Sequence, residues 1–428
     1  MDQKVKKYLD NDTIFNEINK QFISLEHQNV KEINEHLNEA YNELIDIMKN
    51  QNSLFKKTFK RTVYTGSFYK KTKIGSPDEF DLNLIIKLPI KEDNVQFSTN
   101  LPGYIKICTN ISRNNTLNMD QKAHKDMMSF IDNQTYLDQD RFRRWIERIL
   151  SKATHVTNEN NRMKLKDYTV RIKKSGPAFT LSLQIPNREQ PISIDLVPVL
   201  AFSSSRHPPP CSGNYVPEYC NRDWFLVPKP LNNKNISDAE ENQYWRLSFY
   251  EFEKVILSKY GRAKPIIRHL KKFRDTQNLK CIASYYIETL CFHHLHIFKE
   301  QRKSSTSLFF TMLKQLFEAF HDRCIKYYWD ENVNLLEKIE YNEMKNIEKR
   351  LFNIIKNIEK QITEKPDNSF AIATYVLNSE ENAHLKVNLE ENERLKNNKI
   401  KSKSMKLNLE SETQLEPKAE SQGRCIIV

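Results

Sequence analysis

Glycine is scarce in this sequence, with 7 among 428 residues, too few for glycine-rich sheets or low-complexity structure. No stretch approaches the roughly 18 consecutive apolar residues that a membrane-spanning helix requires, and no apolar segment opens the chain at MDQKVKKYLD. The seven cysteines (Cys108, Cys211, Cys220, Cys281, Cys291, Cys324, Cys425) are scattered without a Cys-x-x-Cys pair. That argues against the common zinc and dithiol spacings and leads us to expect a reduced, cytoplasmic protein. Acidic excess is also missing: 67 Lys and Arg against 55 Asp and Glu leave a net charge of +12, which points to a polyanionic partner, either nucleic acid or an acidic membrane face. What is present is a hydrophobic content of 39%, enough for a sizeable core in one two-lobed globule or two packed domains with tails.

From Val30 to Met48 the apolar residues Val30, Ile33, Leu37, Tyr41, Leu44, Ile45 and Met48 recur at three and four, predicting a long amphipathic helix. Residues 80–90 alternate. Leu82, Leu84, Ile86 and Leu88 point one way and Asp81, Asn83, Ile85 and Lys87 the other, predicting a strand with one wholly apolar face. Two alternating runs flank Ser175-Gly176-Pro177 as a hairpin, and PISIDLVPVLAF reads as a further strand. Beyond Trp224 the period becomes helical in RLSFYEFEKVILSKY, KPIIRHLKKFRD, IASYYIETLCFHHLHIF and SLFFTMLKQLFEAFHDRC. The expected division is an N-terminal extension over 1–11, a mixed α and β lobe over 12–223, a helical lobe over 224–377, and a charged, disordered tail over 378–428.

In TGSFYKKTKIGSPDEFDLNLIIKLP, a Gly-Ser pair (Gly66, Ser67) precedes Glu79 and Asp81 at the mouth of an apolar run. Side chains alternate along a strand, so Glu79 and Asp81 share a face. In PISIDLVPVL, Asp195 projects opposite Ile192, Ile194 and Leu196. Three carboxylates on two adjacent strands make a hard-oxygen site suited to two Mg2+ or Mn2+ ions carrying nucleotide phosphates. Gly66 lets the backbone approach those phosphates, and Ser67 can donate to them.

At these residues the sequence resembles the nucleotidyltransferases of the cyclic GMP-AMP synthase family, especially the animal cGAS-like receptors. GSFYKKTKIGSPDEFDLNLIIKLP resembles the activation loop and catalytic strand, ISIDLVPVL the strand of the third carboxylate, and WRLSFYEFEKVIL the helix opening the second lobe; the resemblance spans about residues 12 to 375. It implies an α+β, bilobal nucleotidyltransferase fold with a mixed-sheet catalytic lobe, a long N-terminal spine helix and a helical C-terminal lobe. Glu79, Asp81 and Asp195 become the metal ligands, Gly66 and Ser67 the phosphate loop, and Arg246 and Ser248 the base contacts. The implied activity is nucleic-acid-activated synthesis of a cyclic dinucleotide, such as cyclic GMP-AMP from ATP and GTP, in innate antiviral signalling. The alternatives are synthesis of linear 2′-5′ oligonucleotides and a catalytically silent binding protein of the same fold.

The departures are informative. EKVILSKYGRAKPIIRHLKKFRD runs through the position of the family's zinc-binding insertion without a cysteine, so no zinc is expected, and double-stranded RNA is the expected activator in preference to double-stranded DNA. Glu288 stands where the family enzyme has a lysine, and its base-stacking tyrosine has no clear match near Lys314.

Lys49 to Lys73 carries eight basic residues and no acidic one, and Lys254 to Lys280 carries nine against the single Asp275. In the family fold these runs share a surface, which makes Lys49, Lys56, Lys57, Lys60, Arg61, Lys264, Arg268, Lys271 and Lys272 the expected duplex contacts. Duplex binding would then reorder the Gly66-Ser67 loop, and a ligand-induced oligomer is an assembly this allows. His293, His294 and His296 lie close together, but only two share a helical face, so a core or surface role is expected. The terminal Cys425-Ile426-Ile427-Val428 has the form of a prenylation motif, preceded by the basic KNNKIKSKSMK. Membrane tethering of a cytoplasmic protein through Cys425 is the corresponding expectation.

Overall fold

The computed structural model describes residues 3–24, 27–75, 78–109, 119–154, 162–165, 168–185, 188–206, 208, 221–231, 236–365 and 368–412. The spine helix spans His27–Gln51. Ile33, Leu37, Ala40, Tyr41, Leu44, Ile45 and Met48 are buried along it, so the three-and-four spacing read from the sequence is the face that packs. Asn52 ends it and starts the helix Ser53–Thr58, its side chain accepting from the Phe55 N–H at 2.9 Å.

The chain then enters a ten-stranded mixed sheet. Its strands are β1 (Phe59–Thr65), β2 (Glu79–Ile86), β3 (Val95–Ser98), β4 (Tyr104–Thr109), β5 (Arg162–Leu165), β6 (Tyr168–Ser175), β7 (Ala178–Gln184), β8 (Ile192–Phe202), β9 (Trp224–Val227) and β10 (Tyr244–Ser248). The order is β3-β4-β10-β9-β8-β7-β6-β5, with β2 parallel to β8 and antiparallel to β1. The hairpin at Ser175-Gly176-Pro177 joins β6 to β7, with Gly176 at φ +50°.

Two expectations are corrected here. β2 ends at Ile86, and Ile85 and Asn83 are buried as well as Leu82, Leu84 and Ile86, so both its faces are covered; β1 and β8 pair along its two edges. The stretch YWRLS is a strand, not the start of a helix: Tyr244, Trp245 and Leu247 are buried while Arg246 and Ser248 are half-buried. β9 and β10 therefore extend the sheet past residue 224, and the first helix of the second lobe is Tyr250–Lys259. Residues 3–24 pack against helices of the second half of the chain. Asp12 accepts from the Ser305 and Thr306 N–H groups at 2.9 and 2.8 Å at the start of the helix Ser305–His321, and the Phe15 ring stacks on His269 with centroids 3.6 Å apart.

After Tyr250–Lys259 the main helices of this unit are Ala263–Thr276, Ser284–His293, Ser305–His321 and Tyr341–Glu364, while Gln121–Met128 and Gln139–Thr154 lie between β4 and β5. Leu270, Phe273, Leu313, Leu316, Leu351 and Ile358 are among their buried residues. Residues 1–376 form one compact unit and 377–428 a second. Within the second, Ser379–Glu412 is helical, where composition predicted disorder. It contains no Gly or Pro and is rich in Glu, Lys and Leu, good helix formers that need no apolar stripe to favour the local geometry. No helix of the described residues is long and apolar enough to cross a membrane.

Candidate active site

Parallel pairing of β2 with β8 puts Asp81 directly beside Asp195 in register, with Glu79 beside Ser193. A threonine flanks each aspartate. Thr65 on β1 faces Asp81 and donates through Oγ1 to its carbonyl at 3.1 Å. Thr180 on β7 faces Asp195 and donates to its carboxylate Oδ1 at 2.5 Å. Glu79 is exposed at the start of β2. Among the described residues no three His, Cys, Asp or Glu side chains converge as a closed metal-ligand set; the backbone aligns the three carboxylates without closing them on one point. Burial raises the Asp81 carboxyl to about 6, with further upward pressure from Glu79 and Asp195 that Lys73 and Lys70 only partly oppose.

Immediately after Thr65 the chain turns at Gly66, φ +74°, into the short helix Gly66–Tyr69. A Cβ on Gly66 would fall 1.8 Å from Asp81 Oδ2 and 2.7 Å from its Cγ. The close approach that requires glycine is thus to the carboxylate of Asp81. Ser67 is half-buried on the same turn, and its carbonyl accepts from the Thr72 N–H at 2.8 Å.

Gly66, Asp81, Arg246 and Ser248 line one cleft of about 320 Å³, together with Thr65, Asn83, Tyr250, Glu253, Tyr285 and Tyr327. Arg246 lies over the Tyr104 ring, 5.7 Å from its centroid. The strand period of YWRLS puts Arg246 and Ser248 on the cleft side while Trp245 and Leu247 enter the core. Tyr285 and Tyr327 give the cleft aromatic walls that no local sequence motif marked.

Sequence reasoning also missed the buried ionic cluster behind the cleft. Lys70, on the segment leading out of the Gly66 turn, places Nζ 2.7 Å from Glu253 Oε2 and 2.9 Å from Glu288 Oε2. Lys271 donates to Glu288 Oε1 at 2.9 Å and to the Thr72 carbonyl at 3.1 Å, and Thr72 Oγ1 donates to Glu288 Oε1 at 3.0 Å. Glu253 Oε1 accepts from the Tyr285 hydroxyl at 2.6 Å and from Trp329 Nε1 at 3.2 Å. Burial alone would raise the Glu288 carboxyl; Lys70 and Lys271 overcome it and hold it at about 2. Two buried ammoniums thus face two buried carboxylates. This overturns the expectation for Lys271, which is 2% exposed and cannot reach a phosphate backbone without abandoning Glu288.

The other basic residues divide by environment. Lys56, Lys57 and Lys60 are exposed. Arg61 makes a two-pronged bridge to Glu251 at 3.1 and 2.9 Å, Lys57 lies 3.5 Å from Asp120 and Lys49 lies 3.6 Å from Asp46. Arg268 donates to the Lys71 carbonyl at 3.3 Å and to Asn19 at 3.1 Å, while Lys272 is half-buried on the same helix. Burial lowers the Lys264 ammonium, and so do Lys71, Arg268 and Lys254 around it. The two basic runs therefore meet at Lys71. His293 directs Nε2 at the Lys326 carbonyl, 2.7 Å away, and the helices Tyr250–Lys259 and Ala263–Thr276 follow each other through a short turn with no insertion. Cys425 lies outside the described residues.

Residues 68–259 match the Mab-21 protein nucleotidyltransferase domain and residues 262–353 the Mab-21 protein HhH/H2TH-like domain. The junction falls in the turn before Ala263. The chain is 38% identical over 394 residues to a cyclic GMP-AMP synthase-like receptor of Microplitis demolitor, covering 90% of this chain and 71% of that protein. It is 33% identical to the cyclic GMP-AMP synthase-like receptor of Trichogramma pretiosum, over 89% of this chain and 79% of that one. For the cyclic GMP-AMP synthase-like receptor of Tribolium castaneum the identity is 32%, over 86% and 92%. With the fold, the cleft and these similarities together, the chain belongs to the cyclic GMP-AMP synthase-like receptors and is a Mab-21-type nucleotidyltransferase.

Proposed function

We propose that this nucleotidyltransferase is a nucleic-acid-activated synthase that joins ATP and GTP into a cyclic dinucleotide, such as cyclic GMP-AMP, in innate antiviral signalling. The observation that carries the reading is the side-by-side placement of Asp81 and Asp195 on parallel strands, with the Gly66 turn packed directly on Asp81. In the reaction a ribose hydroxyl attacks the α-phosphate of a second nucleotide and pyrophosphate leaves; a second such transfer closes the ring.

The donor set fits hard divalent cations: all its ligands are carboxylate oxygens, and burial, with repulsion from Glu79 and Asp195, raises the Asp81 carboxyl. Glu79, Asp81 and Asp195 would hold Mg2+ or Mn2+ there. Such ions, when bound, neutralise triphosphate charge and make the attacking hydroxyl more acidic. The protein's own part is positional. Thr180 orients Asp195, Gly66 admits Asp81 to the end of the strand, Ser67 offers a donor beside the phosphates, and Arg246 and Ser248 face the nucleotide.

Activation by double-stranded RNA is supported by the convergence of Lys71, Lys254, Lys264 and Arg268 beside the segment that carries Gly66 and Lys70. Exposed Lys56 and Lys60 extend that charge. A cytoplasmic enzyme tethered through prenylated Cys425 fits the basic stretch before it; deleting residues 425–428 should move the protein from membrane to cytosol, and an unchanged distribution would exclude the tether.

The experiment is incubation of the purified protein with all four labelled ribonucleotides and Mg2+ or Mn2+, with no ligand, duplex DNA or duplex RNA. A phosphatase-resistant product made only with duplex RNA, and absent from Asp195→Asn, is expected. A linear ladder, or no product under any condition, would refute the cyclase reading.

A further inference from the structure

Besides the Asp81 carboxylate and the Ser248 hydroxyl, the side chains of Asn83 and Tyr250 line the cleft without a hydrogen-bond partner among the described residues. Asn83 stands two residues beyond Asp81 on the same face of β2, between Val63 on β1 and Val197 on β8. It is 7% exposed and lines the cleft, and its carboxamide makes no hydrogen bond to any described residue. The Tyr250 hydroxyl is likewise buried without a partner among the described residues. Its ring packs with Val63, Ile85, Val199, Ala201 and Phe225, so the apolar cluster that holds the ring satisfies nothing at its polar end. Glu253, by contrast, is held by Lys70, Tyr285 and Trp329, and Thr65 by the Asp81 carbonyl. Buried polar groups in native proteins are nearly always paired, and an unpaired one calls for an explanation such as a ligand or water.

We propose that Asn83 and Tyr250 read the base of the nucleotide whose ribose hydroxyl is positioned at Asp81 and Asp195. The assignment rests on the reading of the cleft as the nucleotidyl-transfer site. Two residues along a strand place Asn83 roughly 7 Å beyond Asp81, about the span from a ribose hydroxyl to the polar edge of its own base. A carboxamide offers one acceptor and two donors, which complements a base edge with a donor and an acceptor side by side, as adenine presents at N6 and N7. The neutral amide would gain little from a triphosphate, whose charge belongs with cations. Because the Tyr250 hydroxyl is buried and Asn83 is 7% exposed at the cleft wall, a base that leaves them unpaired loses more than it would at a solvent-exposed contact. Asn83 and Tyr250 are thus specificity-determining residues for one of the two nucleotides.

The test is equilibrium binding of ATP, GTP, CTP and UTP, each in Mg2+ with duplex RNA present and absent, to the full chain and to Asn83→Val and Tyr250→Phe, with thermal melting of each. The expected result is a loss of roughly tenfold for one base in both variants, with the other three moved far less. Melting temperature should be unchanged or raised, since each variant removes an unpaired polar group. Tyr250→Phe deletes only the hydroxyl, so it decides the matter if Asn83→Val disturbs the strand. Equal weakening of all four nucleotides, or none, in a wild-type protein that binds them overturns the base-reading role and assigns the two groups to bridging water. If the wild type binds none of the four, the nucleotide reading of the cleft falls first and this assignment falls with it.

Discussion

The carboxylate of Asp81 occupies the space where any side chain on Gly66 would begin: a Cβ there would meet Asp81 Oδ2 at 1.8 Å. This packing ties the loop to β2. Any event that moves the Gly66 turn moves the wall of the carboxylate site, and the positive φ of 74° makes the position strained for every other residue.

Gly66→Ala should therefore lower nucleotidyl transfer on the order of a hundredfold, the effect of displacing a reacting group by about 1 Å. Global stability should fall only by about 1–2 kcal/mol from the backbone conformation. Steady-state rates and urea unfolding of the same preparation check this; a fully active variant would show that Asp81 does not need its present position.

Lys70→Met should destabilise the protein by about 3–5 kcal/mol, because it leaves Glu253 and part of Glu288 as buried, uncompensated charge. The partner test is pH. The folded Glu288 value, about 2, lies below its ordinary 4.5. Its stabilising contribution is therefore complete above pH 4.5 and is lost as pH falls toward 2, a change of about 3 kcal/mol. Glu288→Gln should be less stable at neutral pH and lack that acid-side slope in denaturant titrations; an unchanged slope would contradict the buried pairing.

His269 gives a second pH window of different origin. Burial lowers its folded value to about 4 from 6.5, so the unfolded chain takes up the proton first and stability declines as pH drops from 6.5 to 4. His269→Phe should flatten the stability profile in that interval, read by melting temperature against pH.

How much of this is legible in sequence depends on the range of the signal. That Glu79 and Asp81 share a face, and that Asp195 stands opposite Ile194 and Leu196, can be anticipated because alternation along a strand fixes which residues share a face; the parallel pairing that brings Asp81 beside Asp195 is set by the fold. The spine helix is legible because its period holds over five turns. YWRLS is not: a five-residue strand that runs straight into the helix Tyr250–Lys259 offers too few alternations to separate from the helical pattern after it. The Lys70–Glu288 pair joins residues 218 positions apart, and no local pattern encodes it. Lys271 looks like its exposed neighbours because a basic residue carries no mark of burial; only the fold puts Glu288 opposite it. Asn83 and Tyr250 escape notice for the same reason, since an unmet hydrogen bond exists only in three dimensions.

The same contrast predicts how the basic residues separate. Lys56→Ala with Lys60→Ala should weaken duplex-RNA stimulation and reduce the slope of log affinity against log salt by about one for each phosphate no longer neutralised. Lys271→Met should leave that slope intact while lowering the melting temperature. Filter binding over a salt series with thermal melting distinguishes them, and a greater reduction of salt dependence in Lys271→Met would reverse the assignment.

The most direct measurement of the central claim is pyrophosphate release from ATP and GTP with Mg2+ and duplex RNA, by the wild type, Asp81→Asn and Asp195→Asn, with the folded state of each verified by melting. The account predicts release by the wild type and a drop of at least about a thousandfold in both variants, the scale of an essential electrostatic group. Comparable release from either folded variant would contradict the placement of nucleotidyl transfer at the Asp81–Asp195 pair.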